Sequence, residues 1–199
     1  MKPWRSPAGR DLGIALLLLL CQACAVSTPS TAYLQLAAIS TGSPDGISGD
    51  GPSLFIDRVR LPDFLLRDEL IRRDDDFSLH YNPYLRWAEP LDLGLQRVLA
   101  EELSISLDTR QIRRYPTPAA RDTEWRLQVE VDRFERQGEE VQLRARGIWA
   151  RSDSPDAAVA VIDFDRQRRV ESASPGATAE ALSELLAAFA GELARGLGP

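Results

Sequence analysis

Residues that commonly carry catalysis or bind metals are scarce in this sequence of 199 residues. It contains one histidine, His80, and two cysteines, Cys21 and Cys24, which both lie near the amino terminus. Zinc sites are built mainly from histidine and cysteine, and thiol chemistry requires a cysteine thiolate. There is also no phosphate loop and no dinucleotide-binding fingerprint. The sequence therefore predicts no zinc site, no cysteine nucleophile beyond residue 24 and no bound cofactor.

Lysine is nearly absent as well, because Lys2 is its one occurrence and arginine supplies the other cations. The formal net charge is −6, and it becomes about −8 from residue 24 onward, where 21 basic and 29 acidic residues remain. Proteins that bind nucleic acid present a basic face, and docking on anionic lipid also requires clustered cations. The composition therefore argues against nucleic acid as a partner and against purely electrostatic membrane binding.

The sequence has no apolar run of the roughly 20 residues that a membrane-spanning helix needs. The apolar run at residues 12–20 is shorter than that, and it follows a basic start with Lys2, Arg5 and Arg10. A basic start, a short apolar run and small residues beyond it are typical of a secretory signal peptide. We expect this segment to direct export.

A cysteine at the end of this signal points to acylation. Bacterial lipoprotein signals resemble Leu-x-Gly/Ala-Cys and are cut just before the cysteine, and Ala23 occupies the small position before Cys24. We therefore predict a lipoprotein signal peptide over 1–23, acylation of Cys24 by chains such as palmitate, and a lipidated tether over 24–31. Ala25, where an aspartate would favour the inner membrane, favours the outer membrane. The alternative is an ordinary secretory signal cut near Ala23 or Ala25.

Apolar and polar residues alternate over 125–134 and again over 141–149, which is typical of strands with one buried face. Gly138 stands in the turn between them, where a hairpin favours glycine. A third strand is predicted over 157–164. Shorter strands are predicted at 32–38, 54–61, 69–72, 77–81 and within 110–116.

Two segments repeat apolar residues at spacings of three and four, as amphipathic helices do. The first is predicted over about 89–107, beginning beside Pro90, and the second over about 177–197. The Gly-, Ser- and Pro-rich segment 40–53 is predicted to be a flexible loop. Two amphipathic helices and a mostly antiparallel or mixed sheet predict a single two-layer α+β domain over 32–199.

Several groups of residues resemble parts of enzyme sites, but each lacks the partners that the chemistry needs. His80 falls in a predicted strand, and no Gly-x-Ser-x-Gly motif supplies a nucleophile for it. The acidic run 74–76 lacks the alternating ligand spacing of a calcium loop. Asp63, Asp68 and Glu69 have no carboxylate opposite them, as glycoside hydrolysis requires. We therefore predict no catalytic residues and no metal site, with an envelope hydrolase using His80 or the Asp63/Asp68 region as an alternative.

The stretch RWAEP combines Arg86, Trp87, Glu89 and Pro90. Proline suits the first turn of a helix, so the stretch is interpreted as the junction between a strand and a helix. An acidic Glu89 stabilises the helix amino terminus, and Trp87 packs on the sheet or on the first helical turn. Arg86 is expected to pair with Glu89 or with an acidic turn. Contact with a partner protein is the alternative role of this stretch.

Several stretches together resemble segments of one protein family. VRLPDFLLRDELIRR, at 59–73, is similar to the family segment Val-x-Leu-Pro-x-Tyr-Leu-x-Arg-x-x-Ile/Leu-x-x-Arg. LRWAEPLDLGLQRVLAEEL, at 85–103, resembles the family's Arg-Trp-Ala-Glu-Pro-Leu helix start. AYLQL and LQVEVDRFE resemble its first strand and its sheet. With these motifs the chain resembles the ABC-type transport auxiliary lipoproteins of the PqiC/YmbA type, although Phe64 stands where the family usually has tyrosine and 40–53 is a long insert.

The resemblance implies a non-catalytic, periplasm-facing outer-membrane lipoprotein. It would be the auxiliary component of an MCE/ABC-type intermembrane lipid transport system, docking an MCE-domain protein at the outer membrane beside inner-membrane transporter components. A ring-like homo-oligomer is among the arrangements it implies. The matched motifs contain the candidate partner-binding residues Pro62, Arg67, Arg86, Trp87 and Glu89. The alternative is a periplasmic lipid-binding carrier with an apolar pocket between sheet and helices.

Overall fold

The computed structural model describes residues 30–40, 46–118, 122–172 and 174–198. The part from Thr31 to Pro199 is one compact unit, and its described residues form one eight-stranded sheet and two α-helices. The strands are β1 (Ala32–Leu34), β2 (Leu54–Ile56), β3 (Glu69–Asp75), β4 (Ser78–Trp87), β5 (Ile112–Arg114), β6 (Trp125–Gln137), β7 (Glu140–Arg151) and β8 (Ser154–Arg169). The helices are α1 (Leu91–Ser106) and α2 (Pro175–Gly196), and a 3-10 turn spans Asp63–Leu65. The predicted α+β class is confirmed.

Strand β6 is the centre of the sheet. On one side it pairs antiparallel with β7, which pairs antiparallel with β8. On the other side, the first part of β6 pairs in parallel with β2, and its last residues pair in parallel with β3. Beyond β2 lies the parallel edge strand β5, and beyond β3 lie β4 and the parallel edge strand β1. The sheet is therefore mixed, with an antiparallel meander at its carboxyl-terminal side.

The core lies between the inner face of this sheet and the two helices. The residues that alternate inward on β6, Leu127, Val129 and Val131, are all buried, as their period predicts. Phe164 of β8 packs against Phe189 of α2 with ring centroids 5.3 Å apart. The largest fully buried side chains come from both layers: Trp149, Phe134, Phe164, Phe189, Leu54, Ile56, Leu65, Leu95, Leu99, Leu103, Leu127 and Leu143. The interface between sheet and helices is thus filled by side chains.

Strand β4 ends later in the chain than the sequence predicts. Strand β4 continues through Trp87 instead of ending near Tyr81, because β1 pairs with its second half. The register against β3 shifts between Glu69 and Leu70, and the extra residues on β4 include the exposed Pro83. A proline is tolerated at such an irregularity because it donates no ladder hydrogen bond.

Several predictions at the amino-terminal side concern residues that the structure does not describe. The signal peptide, Cys24 and residues 25–29 of the tether lie outside the described residues, as do 41–45 of the predicted loop. Ser48, within the described part of that loop, donates from its backbone N–H to Asp108 at 2.7 Å. No helix among the described residues is long and apolar enough to cross a membrane.

Candidate partner-binding surface

Trp87 is a core residue at the end of β4. Its side chain is 7% exposed, and its ring lies 6.1 Å from the ring of Phe134 on β6. Its backbone N–H donates to the carbonyl of Asp68 at 2.7 Å, which fixes the end of the strand. The expected packing of Trp87 on the sheet is therefore found, and the side chain has little surface to offer a partner.

Glu89 binds Arg97, which lies in the second turn of α1. Its Oε1 accepts from Nε and Nη2 of Arg97 at 3.2 and 2.6 Å. This hydrogen bond is the main reason that the pKa of Arg97 lies above its ordinary value. Gly94 leaves room for the pair, since a Cβ there would lie 3.3 Å from Oε1 of Glu89. Pro90 caps α1 without any side-chain hydrogen bond, and Asp92 is the acidic residue of its first turn.

Arg86 pairs with neither Glu89 nor an acidic turn. Its Nη2 lies 3.4 Å from Oε1 of Glu69 on β3, the residue directly opposite it in the ladder. On its other side Arg86 is in register with Tyr33 of β1. Tyr33, Arg86 and Glu69 therefore form one row across three strands at the edge of the sheet. Their proximity depends on strand pairings that local sequence patterns do not specify.

Pro62 and Arg67 lie in the turn that leads into β3. Pro62 precedes the 3-10 turn, and its carbonyl accepts from the N–H of Leu65 at 2.9 Å. The guanidinium of Arg67 lies 4.9 Å from the ring centroid of Tyr81 on β4, within the range of a cation–π contact. This contact holds the exposed arginine against the β3–β4 pair.

We group the exposed or half-exposed side chains of β1, of β4 and of the turn before β3 under the name edge surface: Tyr33, Leu66, Arg67, Tyr84 and Arg86. Tyr33 is 68% exposed, Leu66 49% and Tyr84 41%. Aromatic residues and arginine are enriched in protein interfaces. Arg67 and Arg86 of the candidate residues belong to this surface, whereas Trp87 is buried and Glu89 binds Arg97. Tyr33, Leu66 and Tyr84 were missed, and only their exposure distinguishes them.

The residues weighed for chemistry occupy separate positions in the fold. His80 is exposed on β4, opposite Arg72 of β3. Asp74 pairs with Arg72 at 2.8 Å, and Oδ1 of Asp75 accepts from the N–H of Phe77 in the hairpin turn. That backbone hydrogen bond is the largest cause of a lowered pKa for Asp75. In the part of the chain that the structure describes, no group of His, Cys, Asp and Glu is arranged to hold a metal ion.

Comparison with known proteins supports the resemblance drawn from the motifs. Residues 34–194 match the family model described as the ABC-type transport auxiliary lipoprotein component. The chain is 28% identical over 102 residues to the Intermembrane transport lipoprotein PqiC of Escherichia coli (strain K12), and equally to that of Shigella flexneri. These alignments cover 51% of this chain and 53% of each relative, so the chain spans about half the length of the curated relatives it matches.

Two crystal structures are similar to this chain in fold. One, an uncharacterized protein, has a TM-score of 0.70 and 18% identity, and the match covers 85% of this chain and 99% of that one. The other, from Xanthomonas campestris, has a TM-score of 0.67 and 17% identity, with 83% and 94% covered. At these identities the structures support the fold alone. The family model, however, spans most of the domain, and this chain belongs to the ABC-type transport auxiliary lipoproteins.

Proposed function

We propose that this protein is the non-catalytic adaptor of an MCE/ABC-type intermembrane lipid transport system. In this proposal an acylated Cys24 anchors the domain to the periplasmic side of the outer membrane. The domain docks the MCE-domain protein there, which brings the inner-membrane transporter components into reach. The observation that carries the proposal is the family match over residues 34–194. The relatives from Escherichia coli and Shigella flexneri are named as intermembrane transport lipoproteins, which supports the proposal.

The edge surface is the part of the domain best suited to docking a protein. Tyr33 lies on β1, which is an edge strand and pairs only with β4 in the described residues. The edge surface contains aromatic, apolar and cationic side chains that lie outside the core. A few such residues commonly contribute most of the energy of an interface. We therefore assign the docking contact to Tyr33, Leu66, Arg67, Tyr84 and Arg86.

The packing of the core favours the adaptor over a lipid-binding carrier. A carrier would need an apolar cavity between sheet and helices, and interiors packed by large side chains do not offer one. Here Leu99 and Phe189 from the helices and Leu127 and Phe134 from the sheet are each 1% exposed or less. At these positions the interior between sheet and helices is filled by side chains.

Recovery of the partner from membranes tests the proposal. The full-length acylated chain, expressed together with its MCE-domain partner and extracted in mild detergent, should retain that partner on affinity purification. The double variant Tyr33→Ser/Arg67→Gln should reduce recovery by about tenfold, because two interface anchors are lost. Phe77→Ser is the matched control, since Phe77 is 98% exposed but lies in the β3–β4 turn outside the edge surface. Failure of the wild-type chain to retain any MCE-domain protein would contradict the adaptor role.

A further inference from the structure

A groove separates α1 from the edge strand β5, at the opposite end of the sheet order from the edge surface. Its cavity has a volume of 470 Å³, within the range of binding sites for small molecules or a few peptide residues. Its apolar lining includes Ala100 and Ile105 from α1 and Ile112 from β5. A second hollow of 550 Å³ shares Arg97, Ile112 and Arg114 with it and continues it along β5. We call the two together the α1–β5 groove.

The backbone of β5 offers unpaired hydrogen-bonding groups to this groove. The carbonyl of Gln111 accepts from Leu54 at 2.9 Å, and the N–H of Tyr115 donates to Ile56 at 3.0 Å. Backbone groups alternate in direction along a strand, so those of Ile112 and Arg114 point away from β2. In the described part of the chain β5 pairs only with β2. The carbonyl of Arg114 accepts from Thr117, which leaves the N–H of both residues and the carbonyl of Ile112 at the free edge.

Arginines outnumber carboxylates in the lining of the groove. Its two carboxylates, Glu89 and Glu101, both bind Arg97, at 2.6 and 3.3 Å. Arg110 donates to the carbonyl of Ile47 at 3.1 Å, and, after the hydrogen bonds from Ser48, its charge contributes to lowering the pKa of Asp108. Within the described residues neither Arg110 nor Arg114 lies within ion-pair distance of a carboxylate. Two arginines that form no close ion pair in the described residues therefore line the groove.

We propose that the α1–β5 groove binds an extended acidic segment of a partner protein as an added strand on β5. The free edge presents donors and an acceptor together, as only a peptide backbone can match in register. Carboxylates of the segment would bind Arg110 and Arg114, and its small apolar side chains would rest on Ala100 and Ile105. A lipid phosphodiester accepts hydrogen bonds but donates none, so in a lipid the donor to the carbonyl of Ile112 would have to come from another headgroup atom. The short length of β5 limits the pairing to a few residues.

Binding of defined peptides to the full-length chain in detergent tests this proposal. The probe is the fluorescent heptapeptide GEVTVEG, with GKVTVKG as its charge-reversed control. A third peptide is GEVTVEG with both valine nitrogens methylated, which removes backbone donors and keeps the charges. We expect GEVTVEG to bind, GKVTVKG not to bind, and the methylated peptide to bind about tenfold more weakly. Amide exchange at Ile112 and Arg114 should slow when GEVTVEG is bound.

Variants of the chain distinguish binding of the peptide in this groove from nonspecific electrostatic attraction. Arg110→Gln/Arg114→Gln should weaken binding of GEVTVEG by about tenfold or more, because two charge-assisted hydrogen bonds are lost. Arg169→Gln is the matched control, since Arg169 is exposed and pairs with Glu139 away from the groove. No binding of GEVTVEG at millimolar concentration, or equal binding by the methylated peptide or the double variant, would overturn the proposal. Displacement of GEVTVEG by phosphatidylglycerol added to the detergent micelles, but not by phosphatidylcholine added in the same way, would overturn it in favour of a lipid headgroup.

Discussion

Arg73 of β3 and Glu135 of β6 form an ion pair in the interior of the domain. The Arg73 side chain is 9% exposed and the Glu135 side chain is fully buried, and two nitrogens of the guanidinium bond to the carboxylate. Another guanidinium nitrogen donates to the carbonyl of Asp76 at 3.3 Å. The hydrogen bonds to Glu135 raise the pKa of Arg73. The pair joins the β3–β4 hairpin to the central strand where β3 and β6 share only two residue pairs.

Loss of one member of this pair should be more harmful than loss of both. Glu135→Leu alone should lower the free energy of unfolding by about 3–5 kcal/mol, because an unpaired guanidinium would remain buried. Arg73→Met/Glu135→Leu should recover most of that loss, since apolar groups of similar size can replace a buried pair. Urea denaturation of the wild-type chain and the two variants measures both effects. A double variant as unstable as the single one would argue that the strands depend on the pair itself.

Truncation of the buried Trp87 should destabilise the domain far more than truncation of the nearby exposed Tyr33. Trp87→Ala removes a buried aromatic in contact with Phe134 and should cost about 3–5 kcal/mol of unfolding free energy. Tyr33→Ala, one register position away on β1 and largely exposed, should change it by about 0.5 kcal/mol or less. Thermal and urea unfolding of the two variants provide the comparison. Similar losses in both would mean that the β1 edge contributes to the core.

Glu102 ties the segment after β1 to α1, although it sits on the apolar face of the helix. Its side chain is buried and accepts from the N–H of Ile39 at 2.7 Å and from the N–H and hydroxyl of Ser40. Glu102→Ala leaves these donors without an acceptor and should cost about 1–3 kcal/mol. Glu101→Ala, its exposed neighbour, should cost about 0.5 kcal/mol or less. Faster amide exchange at Ile39 in Glu102→Ala alone would confirm the assignment.

Because of Asp165, part of the stability of the domain should be lost at acid pH. Its carboxylate accepts from Gln142 at 2.7 Å and from Arg144 at 2.8 Å, and these bonds, that of Gln142 first, lower its pKa. In the window between the folded pKa and the unfolded value of about 3.9, the unfolded chain binds more protons. The contribution is therefore complete above that window and is lost as the pH falls through it.

The matched variant for this prediction is Asp165→Asn, which cannot titrate. Unfolding free energies measured by urea between pH 6 and pH 3, values chosen to bracket the window of about 3.9 and below, should fall less steeply for the variant. The difference should be small, because the Asp165 side chain is 47% exposed and water screens it. Identical pH profiles would assign the acid sensitivity to other carboxylates, such as Asp75 and Asp108, whose pKa values are also lowered.

Patterns that repeat over neighbouring residues located the main elements correctly. Helix α1, predicted over about 89–107, spans Leu91–Ser106, and α2, predicted over 177–197, spans Pro175–Gly196. The alternation over 125–134 and 141–149 identified β6 and β7, although both strands extend further. These signals are local, because a helix or a half-buried strand repeats its apolar residues within a few positions.

The partners of the candidate site residues could not be predicted in the same way. The sequence suggests Glu89 or an acidic turn for Arg86, but the register of β3 and β4 brings Glu69 opposite it. The row with Tyr33 exists because β1 pairs in parallel with β4, some fifty residues later in the chain. Such pairings depend on how the whole sheet buries its inner face, and a strand of three residues carries little signal of its own.

The sequence by itself determined the fold class, the two helices, the meander and the family. These follow from local periodicity and from motifs that remain recognisable residue by residue. Only the tertiary structure decided that Trp87 is buried, that Glu89 binds Arg97, and that β1 and β5 are parallel edge strands of the sheet formed by the described residues. The reason is that exposure and unpaired backbone groups are properties of the assembled sheet, in which distant segments compete for the same neighbours.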